Sequence, residues 1–147
     1  MAKPPPFDDE HAVHRWFAVE CNNAAWDLLE ADALSSDQVT QLLDVAHASR
    51  WHWYRIGTPL QKLRADLLIA AAYWRTNQPT RSLIYLEHAA ASLGDATDFD
   101  RVIWGRCAIA IASAAGLGTL DRDRVVRASS IQLLPEEEVV IQRVFGA

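Results

Sequence analysis

The chain predicts an all-α fold of about six or seven helices, joined by short turns into antiparallel hairpins. Three observations carry this expectation. Apolar residues recur at helical rather than alternating spacing through most of the 147 residues. Segment boundaries carry helix-capping chemistry, clearest in Thr58-Pro59-Leu60-Gln61 and in the pairing of Ser35 with Gln38. No segment shows the alternation and turn residues of strands.

Residues 1–7, with Pro4-Pro5-Pro6, are expected to be a flexible polyproline-like tail, and residues 8–147 a single helical domain. Helix one is expected over Asp8–Glu30, opened by acids that suit the positive end of a helix dipole. Val13, Phe17, Cys21, Ala24, Leu28 and Ala31 make its apolar stripe, with Trp16 at the edge and Glu20, Asn23 and Asp27 on a shoulder. Ser35 caps a second helix that runs to about Arg55. Its buried face is Val39, Leu42, Leu43, Ala46, Ser49, Trp53 and Ile56, and Gly57 is expected to end it with access to positive φ.

Helix three is expected from Pro59 to about Thr76. Gln61, Lys62, Arg64 and Asp66 make its first half polar, whereas Leu67–Trp74 is apolar all round. A helix apolar on every side is enclosed on every side, so helix three is the expected centre of the fold. Asn77 suits a left-handed turn residue, and Pro79 opens a fourth helix that buries Leu83, Leu86, Ala89, Ala90 and Leu93 before Gly94 stops it. Thr97 or Asp98 caps helix five, Phe99–Ala115, which Gly116 and Gly118 break. Thr119 is expected to cap a short helix six through Ser129. Pro135 followed by Glu136, Glu137 and Glu138 opens a last helix ending near Phe145. Its Val139, Val140, Val144 and Phe145 are expected to close the open end of the stack.

Composition narrows the function classes. Half the residues are hydrophobic and 22% are charged, which fits a folded domain able to bury a core without metals or disulfides. A net charge of -5 without a basic run argues against nucleic acid as a partner. No apolar run approaches the roughly 20 residues of a membrane helix. The segment MAKPPPFDDE lacks the apolar core of a secretory signal, so a cytoplasmic protein without membrane contact is expected. Cys21 and Cys107 lie far apart with no CxxC spacing, which signals neither a disulfide nor a zinc site. There is no phosphate loop, nucleophile elbow or HExxH, and neither a cofactor nor a metal is expected.

Ile69, Ala70 and Tyr73, then Asn77 in the turn, then Ser82, Leu86 and Ala89 stand where a 34-residue helical repeat places its small and bulky packing residues. The segment resembles a tetratricopeptide repeat, departing from it at Asp66 (usually Trp), Asn77 (Gly), Ser82 (Ala) and Gly94 (Pro). Residues 99–128 give a fainter second copy, offset by roughly 40 residues. ECNNAAWDLLE, AHASRWHWYRIGTP and the DFD that opens helix five resemble a set of uncharacterised bacterial tetratricopeptide-like proteins. The resemblance implies hairpins stacked as a right-handed superhelix and little else, because the family carries no settled activity to transfer to residues here.

The candidate chemistry centres on Glu20, Asn23, Asp44, His47, His52 and Asp66. Hinges near Leu34 and Gly57 would put Glu20 and Asp66 on either side of His47. Such a set does general acid–base work or holds a divalent metal, unless it is an orienting network between packed helices. His11 and His14 are spaced to share an ion but sit beside the tail, and His88 shares a polar face with Arg81 and Tyr85; both sets read as solvated. Trp51-His52-Trp53-Tyr54 point four ways on a helix, Trp53 to the core. Trp51, Tyr54, Trp26 and Trp74 are candidates for a binding surface. Arg64, Trp74 and Arg75 take groove-facing positions in the repeat registration and suit a peptide carboxylate or an acidic strip. The leading expectation is an interaction module for a peptide, a partner protein or a second copy of the chain. The alternative is a small helical enzyme or metal-binding protein built on the Glu/His/Asp cluster.

Overall fold

The structure, a computed structural model, describes residues 2–146. Among them are seven α-helices, one 3-10 turn and no strand: α1 (Glu10–Leu29), α2 (Ser36–Ile56), α3 (Pro59–Arg75), α4 (Pro79–Ala90), the turn Leu93–Asp95, α5 (Asp98–Ala115), α6 (Arg122–Ser129) and α7 (Pro135–Phe145). None of these helices is long and apolar enough to cross a membrane. Ser35, Thr58 and Thr97 each close a capping box with the residue three further on, Gln38, Gln61 and Asp100. Each such cap contributes about 1 kcal/mol and fixes where its helix begins. Helix six is capped by Asp121, not Thr119, whose hydroxyl is instead taken by Glu87.

Three hairpins follow one another: α1 packs on α2, α3 on α4 and α5 on α6. Their short connections make them antiparallel, and the Ser49 hydroxyl on the Ala18 carbonyl, the Ser82 hydroxyl on that of Ala70 and Arg106 Nε on that of Ser129 bridge the three pairs. Neighbouring hairpins join through α2–α3 and α4–α5, and α1, α3 and α5 also touch side by side. One side of the molecule is therefore made by the odd-numbered helices. Helix α3 is the buried axis: Leu63 and every residue from Ala65 to Tyr73 are buried.

Several expectations need correction. The buried line of α1 is Ala18, Ala25 and Leu29, one position round from the predicted stripe, and Phe17 is 37% exposed. Small side chains win that face because α2 approaches closely enough for Ser49 to reach the Ala18 backbone at 2.8 Å. Gly57 is extended, with φ -82, rather than left-handed. A Cβ there would lie 2.6 Å from the Trp53 carbonyl, so contact rather than φ explains the glycine. Asn77 does take the left-handed turn, with φ 59. Helix α4 ends at Ala90, and Leu93 is buried from the following 3-10 turn. The proline-rich tail lies back along α1, with the Ala2 amide on Glu20 Oε1 and Trp16 Nε1 donating to the Ala2 carbonyl.

Helix α7 does not extend the stack beyond α6. It packs on α5, where Glu138 meets Arg106, and reaches α3 through Phe145 against Trp74. Its Arg143 meets Glu30 at the end of α1. It thus crosses the odd-helix side, burying Ile141 and Val144 and leaving Val139 exposed. Burying two aliphatic side chains, at about 1.5–3 kcal/mol each, decides the docking over two ion pairs that stay partly in water.

The α5–α6 contact gives a sharp test. A Cβ on Gly105 would meet the Ser129 amide nitrogen at 2.6 Å and the Val125 carbonyl at 3.0 Å, both backbone atoms that cannot swing away. Gly105→Ala is expected to lower stability by about 2–3 kcal/mol in urea denaturation. Gly94→Ala, where nothing lies within 4 Å, is expected to stay within about 0.5 kcal/mol of the parent.

Candidate functional site

On the odd-helix side lies a half-open cavity of about 350 Å³. Asn22 and Trp26 of α1, Arg64 and Leu67 of α3, and Phe99, Asp100 and Ile103 of α5 line it. Trp26, Phe99, Leu67 and Ile103 supply apolar walls, whereas Asn22 and Arg64 supply polar groups. The key contact is Arg64 to Asp100. Arg64 donates only through Nε, at 3.1 and 3.2 Å, to the two carboxylate oxygens. Asp100 is 4% exposed and also accepts from the Thr97 amide and hydroxyl as the α5 capping box. The carboxylate is thereby fixed and fixes Arg64 in turn. The terminal guanidinium nitrogens make no hydrogen bond to another described residue, and the side chain is 48% exposed. An aromatic-walled cavity with one held arginine suits an apolar group carrying an acceptor oxygen.

The polar cluster proposed from sequence does not converge; its members find separate partners. Asp66 is buried on α3 and takes Arg50 Nε at 2.7 Å and the Tyr54 hydroxyl at 2.6 Å. His47 Nε2 pairs with the Tyr73 hydroxyl at 2.6 Å. Glu20 bonds the tail, Asn23 is exposed beside Asn22, and Asp44 is exposed. His52 Nδ1 meets His14 Nδ1 at 2.8 Å, with Phe17 stacked on the His52 ring. Glu20 is level with His47, as the Ser49–Ala18 bond shows, but is taken by the tail amide; between α2 and α3 the reason is register. The α2–α3 hinge sets His47 level with Tyr73 and Asp66 level with Arg50, so each polar group takes a neighbour one or two turns from the one expected.

What forms between α2, α3 and α4 is an arginine–aromatic network. The Arg50 guanidinium lies 4.0 Å from the Tyr54 ring centre and 5.3 Å from that of Tyr85, Arg81 lies 5.7 Å from Tyr73, and Tyr73 stacks on Tyr85. Each such cation–π contact contributes about 0.5–2 kcal/mol according to its exposure. Burial first, then the hydrogen bond to Asp66, pushes the Tyr54 phenol up to about 12. Burial also lowers the His47 pKa, with Arg50 and Arg81 adding to it and Asp44 opposing. The imidazole therefore faces two guanidinium groups rather than the two carboxylates expected. The helical spacing of His47, Arg50 and Tyr54 on one face of α2 was the signal for this network.

The remaining candidates divide. Trp26 and Arg64 line the odd-side cavity. Trp74 is partly covered by Phe145, and Arg75 donates to the Ala31 and Asp32 carbonyls, clamping the α1–α2 linker. Trp51 is 54% exposed beside Arg55. Trp53 is in the core, and His11 and His88 are exposed. Cys107 is fully buried and its thiol is pushed up to about 12 by that burial, so it is a packing residue. Among the described residues no three His, Cys, Asp or Glu side chains come together as a metal-holding set.

His47 and His52 are both held below the ordinary value of 6.5, chiefly by burial; for His52, His14 and Arg55 add to it. A histidine that binds its proton more weakly in the folded state contributes stability above its unfolded pKa and loses it as pH falls through the folded pKa. The melting temperature is expected to be level above about pH 7 and to fall from about pH 6.5 downward. A His47→Gln/His52→Gln variant is expected to show a shallower fall between pH 7 and 5.5. An equal slope in both proteins would remove these histidines from the account.

Compared with family models, curated proteins and solved structures, the chain matches none, so any functional reading rests on its own geometry.

Proposed function

We propose that this protein is an interaction module of tetratricopeptide-like kind, holding a peptide or partner protein on its odd-helix side. The observation that carries the reading is the cavity between Trp26, Arg64 and Phe99, an apolar-walled space with a fixed arginine whose terminal nitrogens are free of described partners. A second support is α7, which lies across the same side, so that this surface already accommodates a helix of the chain itself. A right-handed superhelical stack is part of the proposal, supported by the three successive hairpins and the side-by-side odd helices. So is a cytoplasmic setting, which suits the two free thiols of Cys21 and Cys107. The alternative of an enzyme or metal protein built on Glu20, His47 and Asp66 loses its basis, since each of the three is engaged elsewhere.

Immobilised protein compared with a Trp26→Ala/Arg64→Ser variant of unchanged helical content tests the proposal, alongside light scattering of the free chain. The expected result is a partner, or a second copy, held at micromolar concentration by the parent and at least tenfold more weakly by the variant. A monomer that holds nothing at that concentration, or a partner held equally by both proteins, would contradict it.

A further inference from the structure

A second cavity of about 350 Å³ lies on another part of the molecule, between the Leu93–Asp95 turn, α5 and α6. Its floor is apolar, made by Leu93, Trp104, Ala128 and Ile131. Trp104 is fully buried, its indole N–H donating to the Leu86 carbonyl at 2.9 Å, so it underlies the floor without offering surface of its own. Three arginines stand around the rim: Arg101, Arg124 and Arg127.

The arginines are not alike. Arg101 is spent on structure: Nε and Nη2 donate to the Leu93 and Gly94 carbonyls, and Nη1 meets Asp98 at 3.2 Å. It ties the turn to α5 and so makes one wall. Arg124 and Arg127, three apart on α6, have no ion-pair partner among the described residues, and both are exposed. The absence of a partner is telling because Asp123 precedes Arg127 by one helical turn, the spacing at which an ion pair commonly forms. The Arg124 guanidinium lies instead 5.7 Å from the Trp104 ring centre, over the cavity floor. The residues that line the cavity include these three arginines and no acid.

We propose that this cavity binds a small amphiphilic carboxylate: a compact apolar body seated over Leu93, Ala128 and Ile131, with its carboxylate held by Arg124 and Arg127. An apolar floor alone would take any hydrophobe, and two arginines alone would take any anion. The two together select molecules that carry both features, because the guanidinium fork matches a carboxylate and is weakly hydrated enough to sit beside an apolar surface. The volume lies at the low end of small-molecule sites, which sets the size class at one or two fused rings or a medium-length chain. This site is separate from the odd-helix cavity, and neither proposal depends on the other.

Titration calorimetry of the full chain with 1-naphthoate, and with the neutral 1-naphthalenemethanol as comparison, tests the assignment. The parent is expected to bind naphthoate at least tenfold more tightly than the alcohol, and more weakly as salt rises. Arg124→Gln/Arg127→Gln is expected to lose at least tenfold in naphthoate affinity and to bind the alcohol as the parent does. Arg122→Gln, on the same helix but outside the cavity lining, is expected to bind naphthoate like the parent. Equal affinity for acid and alcohol, or the same loss in Arg122→Gln as in the double variant, would overturn the proposal. So would the absence of naphthoate binding at millimolar concentration in the folded parent.

Discussion

Helix α3 has no solvent side from Ala65 to Tyr73, and this enclosure governs how the other helices are placed. A backbone surrounded by Leu67, Leu68, Ile69 and three alanines lets neighbouring helices come close, and Ser82 reaches the Ala70 carbonyl at 2.7 Å. Enclosure also sets a polar demand. A carboxylate at position 66 and a phenol at position 73 face α2 with no water to satisfy them, so each needs a partner from another helix. Arg50 and Tyr54 answer the first and His47 the second. Among the described residues no buried side-chain nitrogen or oxygen is left without a partner. The pairings act as a register pin between α2 and α3: sliding α2 by one turn would strand both Asp66 and Tyr73.

The two ends of α3 are where this order becomes surface. At its start Arg64 emerges beside α5 and is held by a carboxylate that is itself part of a helix cap. At its end Trp74 and Arg75 are consumed by α7 and by the α1–α2 linker. The difference is one of remaining valence. Arg75 and Trp74 have their partners inside the molecule, while Arg64 keeps its terminal nitrogens toward a cavity walled by Trp26 and Phe99. Helix α7 therefore divides the odd-helix side into a covered part and an open part, and the functional proposal attaches to the open part.

Much of the fold was legible because capping chemistry is local. Thr58-Pro59 with Gln61, and Ser35 with Gln38, mark helix starts from adjacent residues alone, and the unbroken apolar run Leu67–Trp74 announces enclosure without a partner being known. What was not legible depended on distance between helices. The buried line of α1 shifted by one position because α2 comes near enough to favour Ala18 and Ala25 over Phe17, which no periodicity within α1 records. The Glu20–His47–Asp66 site dissolved because Glu20, though level with His47, bonds the tail, and because His47 meets α3 two turns beyond Asp66, at a phenol instead of a carboxylate. Helix α7 was readable as a helix from Pro135 and its acids, but its direction was not: the contacts of Phe145 with Trp74 and Arg143 with Glu30 join residues far apart along the chain. The cavity lining had the same problem. Arg64 and Trp26 stood out individually, whereas Asp100 looked like a helix opener and is also the group that holds Arg64 in place.

The central claim is that α3 is the axis on which both sides of the molecule depend, and native-state hydrogen exchange tests it most directly. Amides from Leu67 to Tyr73 are expected to exchange only through global unfolding, with the highest protection in the chain, while those of α7 and the first turns of α1 exchange through smaller openings. If α3 instead exchanged at a lower free energy than α2 or α5, the fold would not hang on it, and the register argument for Asp66, His47 and Arg64 would fail with it.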